Sequence, residues 1–108
     1  MQVISRVDNL GTRVKGTANA SGGSLINAFS TSATTNDRQG VNISNHSTTD
    51  TLAIWVSQSS TAPDPSTVSP SHYLSPLSDR PLAYGGRCYV YVRSAGSNTV
   101  VYQITEML

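Results

Sequence analysis

All five prolines of the chain fall between positions 63 and 81, and none lies elsewhere. Proline has no N–H to give to a β ladder, so the stretch from Gln58 to Pro81 cannot supply a central strand. It reads as a long excursion with extended pieces, and excursions of that length in small domains are usually functional or irregular. The chain on either side must therefore build the core.

Those flanks alternate with a period of two. In "GVNISNHS", Val41 and Ile43 share one face while Asn42 and Ser44 share the other. In "TLAIWVS", Leu52, Ile54 and Val56 point one way and Ala53 and Trp55 the other. "RCYVYVR" sets Cys88, Val90 and Val92 against Arg87, Tyr89, Tyr91 and Arg93, and "TVVYQITEM" sets Val100, Tyr102 and Ile104 against Val101, Gln103 and Thr105. "STTD" and "SAGSN" are turn sequences, so the expectation is two hairpins, over 41–57 and 88–106. No window of a dozen residues carries an apolar stripe at helical spacing.

The first forty residues are less patterned. "QVISRV" alternates loosely and ends at the turn "DNLG"; "TRVKGTANA" is a weak strand or an arm; "SGGS" breaks the chain; "LINAFS" is a short apolar run; "TSATTNDRQG" is a loop by composition. The reading is a single domain over 1–108, with an antiparallel β-sandwich core in 41–108 and an N-terminal segment, 1–40, read as an arm or as edge strands. The class is all-β, about seven strands, Ig-like or jelly-roll-like.

Composition limits function. Charged residues are 12% of the chain and the net charge is +1, so no basic patch draws nucleic acid. One cysteine excludes an internal disulfide and a multi-cysteine metal site. The start lacks a basic segment followed by an apolar core, so no secretory signal is read there. No apolar run reaches the roughly 20 residues of a membrane helix.

Chemistry-bearing residues are sparse. His46 and His72 are the two histidines, and Asp37, Asp50, Asp64 and Asp79 sit in turn or loop sequence. Glu106 is the single glutamate, so no carboxylate pair stands out. "SGGS" lacks the lysine and helix of a phosphate loop. Cys88 reads as a small buried hydrophobe. The expectation is no catalytic residues, no metal, no cofactor and no small-molecule ligand. The features that suit contact with another surface are the Arg87/Tyr89/Tyr91/Arg93 stripe, Trp55, and the His72–Tyr73 pair in the excursion, because Tyr, Trp and Arg are favoured at interfaces. The stripe reads equally as a plain solvated face, and Trp55 has a second reading as core, since burying it would strengthen a small domain, against an outward one in which Leu52, Ile54 and Val56 already fill the inner face.

From Gly40 onward the order of pieces "VNISNHSTTD", "TLAIWVSQ", "RPLAYGGRCYVYVRSAGS" and "TVVYQITEM" resembles that of small tailed-bacteriophage virion proteins. The resemblance covers about two-thirds of the chain and rests on loose motifs. It implies a head decoration (cement) protein: a small β-sandwich on the capsid exterior, bound to the major capsid protein and assembled as a homo-oligomer, with a trimer favoured. It carries no catalytic residues over. Two rival expectations stand beside it. One is a carbohydrate- or receptor-binding module of a tail or fibre, with Trp55 and the tyrosines as a stacking platform. The other is a tail or head–tail connector component.

Overall fold

The computed structural model describes residues 10–29, 39–85 and 88–107. Among them are eight strands and no helix: β1 (Leu10–Ala18), β2 (Ile26–Asn27), β3 (Gly40–Asn45), β4 (Leu52–Ser57), β5 (His72–Leu74), β6 (Asp79–Leu82), β7 (Tyr89–Ser94) and β8 (Val100–Met107). They form two four-stranded antiparallel sheets, ordered β1-β8-β3-β6 and β2-β7-β4-β5. The all-β sandwich expected from the alternation is what the chain builds.

The pairing follows a rule. β1 pairs with β8, β2 with β7, β3 with β6 and β4 with β5. Those are the four rungs of one long hairpin, and rolling it up adds the β3–β8 and β4–β7 contacts that complete each sheet. This is the strand order of a jelly roll, so the choice left open between Ig-like and jelly-roll-like sandwiches falls to the second.

The roll corrects both expected hairpins. β3 and β4 lie in different sheets, and so do β7 and β8. Alternation tells which face of a strand is apolar but not which strand it pairs with. The local chemistry of 46–51 turns the chain across the sandwich instead of back along it. Asn45 is buried, and its Nδ2 donates to the Asp50 and Leu74 carbonyls, 2.9 Å each, while its Oδ1 accepts the Ser47 N–H at 2.8 Å. Ser47 Oγ accepts the Thr49 and Asp50 N–H groups.

The inward faces interlock as one core: Val41, Ile43, Leu52, Ile54, Leu74, Leu82, Val90, Val92, Val100, Tyr102 and Ile104 are all buried. Ala18, Ala28 and Phe29 belong to the same core, so the sandwich draws on the first forty residues as well as on 41–108. Tyr102 is its largest member. It stands directly across from Gly16, where a Cβ would meet its hydroxyl at 2.7 Å, so the glycine makes room for the ring. The hydroxyl donates to the Ala28 carbonyl at 2.7 Å, and burial pushes its pKa up to about 12. Cys88 is only partly buried and lies just before β7, with its N–H on the Gly85 carbonyl. "QVISRV" and Asp37 lie outside the described residues.

The Pro-rich excursion contributes β5 and β6, both at sheet edges. Pro81 pairs with Asn42 on an edge, where its missing donor costs no ladder bond. The exclusion of central strands from that stretch holds.

Candidate functional site

Two surfaces gather the residues that could engage a partner. The first is the outer face of the β2-β7-β4-β5 sheet. Alternation brings Ala53 and Trp55 of β4 beside Arg93 and Tyr91 of β7, with Tyr89 next along the strand. Ala53, Trp55 and Tyr91 are buried as a cluster of their own, with Leu25 and Tyr89 packed against it. Sandwich sheets normally leave this side to water. Here the segment between β4 and β5 folds back over it. The Trp55 indole Nε1 donates to the Val68 carbonyl at 2.8 Å, and the Tyr91 hydroxyl donates to the Ser59 carbonyl at 3.0 Å. Within the lid, Asp64 caps its own turn: its carboxylate accepts the Ser66 N–H and hydroxyl, which lowers its pKa.

Arg93 lies along the edge of that cluster. Its guanidinium carbon sits 5.6 Å from the Trp55 ring centroid, within cation–π range, and its Nη1 donates to the Gly23 carbonyl at 3.2 Å. Its Nε is buried without a hydrogen-bond partner. The Tyr91 phenol is pushed above its ordinary pKa first by burial and then by Tyr89.

The structure therefore brings together Trp55, Tyr89, Tyr91 and Arg93 of the sequence-derived candidates, but under a lid. Tyr73 shares the same outer face, across from Ala53, and is 59% exposed. His72 points elsewhere: its Nε2 is 3.2 Å from the Tyr84 hydroxyl, the rings edge to face, joining edge strand β5 to the segment that follows edge strand β6. Burial lowers its pKa, and the Arg80 charge lowers it further. Arg87 lies outside the described residues.

The second surface is the end of the roll where four short connections meet, at 19–25, 46–51, 75–78 and 95–99. They are tied to one another. The Ser21 N–H donates to Gly96 O, Ala95 N–H to Thr51 O, and Leu77 N–H to Ser47 O. Asp50 accepts the Asn98 N–H at 2.9 Å across the end, which holds its carboxyl below the usual range. Asp50, placed by the sequence in a turn, bridges two connections. A shallow cavity of about 470 Å³ opens here, lined by Ser44, Asn45, His46, Leu77, Ser78 and Asp79. Leu77 is 69% exposed beside it, and its backbone φ is 59°.

Sequence reading missed Leu77 and Glu106. Glu106 is 1% exposed, on the inward side of β8 across from Val41. A signal existed, because it continues the Tyr102–Ile104 phase of the strand. Among the described residues no three His, Cys, Asp or Glu side chains converge as a metal site would require. Among the described residues no helix is long and apolar enough to cross a membrane.

No family model matches the chain, and no curated protein and no solved structure matches it either.

Proposed function

We propose that this chain is a non-enzymatic virion protein that decorates and stabilises a tailed-bacteriophage capsid by docking on the lattice of the major capsid protein. The observation that supports the reading most is the strand order: among the described residues, eight strands in the order of a jelly roll, the architecture shared by viral capsid domains, lectins and cupins. A fold does not by itself fix a function, so the surfaces must agree with it. They do in character. The outer face of the β1-β8-β3-β6 sheet is polar, with Ser44, Gln103 and Lys15 in one row, and the compact end offers a rigid apolar projection. The mechanism is mechanical. Each copy buries a modest surface, a homotrimer engages several lattice points at once, and the multiplied contacts hold the seams.

The glycan-binding reading draws on the lectin relation of the fold and on exposed Tyr73. It loses its platform in this conformation, because Trp55 is 3% and Tyr91 4% exposed beneath the Val68 and Ser59 segment. Trp55 fluorescence is therefore expected to be unmoved by added glycans.

Quantitative peptide mass spectrometry on purified virus particles tests the proposal. A copy number equal to that of the major capsid protein, or a simple fraction of it, is the expected result. A handful of copies per particle would assign the chain to the tail or connector, and absence from particles would overturn the virion reading.

A further inference from the structure

The turn from Ser75 to Ser78 holds a leucine where the backbone asks for glycine. The Ser78 N–H and Oγ both donate to the Ser75 carbonyl, at 3.2 and 2.6 Å, which closes a four-residue turn. Pro76 occupies its second position and Leu77, with φ 59°, its third. That pattern is a type II turn, whose third residue is ordinarily Gly or Asn because a Cβ is strained there. Among the described residues Leu77 is the single non-glycine with positive φ.

Burial does not repay the strain. Leu77 is the most exposed of the large exposed hydrophobics, at 69% against 59% for Tyr73, 45% for Val68 and 38% for Val101. A lone exposed leucine is ordinary on a protein surface. A lone exposed leucine held in a strained backbone is not, and strain of this kind gathers at sites of contact or catalysis. The turn is also fixed in place. The Leu77 N–H donates to Ser47 O at 3.1 Å, the Asn45 N–H to Ser78 O at 2.8 Å, and the Asn45 amide to Leu74 O at 2.9 Å. With the backbone so held, binding has only the leucine rotamer left to order. Beside it, Asp79 stands across from Ser44 at the cavity rim, with no ion pair among the described residues.

We propose that Leu77 is the anchor of a protein–protein contact: it enters an apolar socket on the partner, and a lysine or arginine at that socket's rim meets Asp79. Resting on the decoration reading above, the partner is the major capsid protein lattice. Leu77 is strained for its own fold and useful only to another surface, so stability and attachment respond to its replacement in opposite directions.

The test uses full-length protein, undecorated capsids of the source virus, co-sedimentation and thermal melts. Leu77→Asn and Leu77→Gly are expected to melt at or a few degrees above the wild type while binding capsids about thirtyfold more weakly, the size of an interface hot spot. Asp79→Asn is expected to keep its melting point and to bind with a shallower salt dependence. If the wild type binds and Leu77→Asn binds equally well, the anchor is overturned. If both Leu77 variants melt well below the wild type, the side chain serves the fold and the inference also fails. A wild type that does not sediment with capsids overturns the decoration reading itself, and with it the partner assigned here.

Discussion

The two ends of the roll are built differently from the same kind of sequence. At one end, four short connections are stitched together by backbone hydrogen bonds and by the buried amide of Asn45. Toward the other end runs the long connection between β4 and β5, anchored over the sheet by the Trp55 indole and the Tyr91 hydroxyl. Both are rich in Ser, Thr and turn residues, so composition does not separate them. What separates them is where the polar groups find partners. In the first they bond across connections distant in sequence; in the second mainly within a few residues, as in the turn at Asp64. Cross-linking of the first kind makes an end that moves as one body, suited to present a fixed side chain.

The largest expected effect strikes the stitched end. Asn45→Ala leaves two carbonyls and the Ser47 N–H without their partner in a buried place, at a cost of about 2–4 kcal/mol. Denaturant unfolding measures it, and a loss under 1 kcal/mol would break the claim that this amide organises the end.

Next is the core that both ends share. Tyr102 titrates from its ordinary 10.0 in the unfolded chain to about 12 in the fold. The folded state therefore keeps its proton longer, so stability is full below pH 10 and falls as pH rises toward 12. The decline is on the order of 2–3 kcal/mol. Tyr102→Phe should flatten that alkaline limb, and an unchanged limb would place the titrating group elsewhere.

A smaller effect is expected on the covered sheet face. Trp55→Phe removes the bond to Val68 and weakens the contact with Arg93, about 1 kcal/mol. Its sharper signature is local: limited proteolysis between 58 and 71 should quicken while the global melt barely moves. Equal loss of both would make the lid part of the cooperative core. The smallest is Asp50→Asn. The wild-type carboxyl has a depressed pKa, so its contribution is present above the ordinary value of 3.8 and is lost as pH falls through the folded value. The asparagine variant should differ little from the wild type in strongly acid solution and slightly at neutral pH.

The sequence made the strands and their faces legible. Val41/Ile43, Leu52/Ile54, Val90/Val92 and Val100/Tyr102/Ile104 all lie inward as alternation requires. It did not disclose their partners, because β1 pairs with β8 across almost the whole chain and nothing local encodes that. The same limit hid the burial of Tyr91 and left Trp55 between a core and an outward reading: it is buried, but on the outer face, by a segment that returns to it from outside the sheet. Leu77 was illegible for a different reason. "SPLS" reads as an ordinary proline turn, and only the observed φ shows that leucine occupies the glycine position.

An electron cryomicroscopy map of the decorated particle tests the central claim most directly. The end bearing Leu77 and Asp79 should face the capsid, with the leucine enclosed by the major capsid protein and the lid over Trp55 turned to solvent. A map in which Leu77 points to solvent while the long-connection end meets the lattice would contradict it.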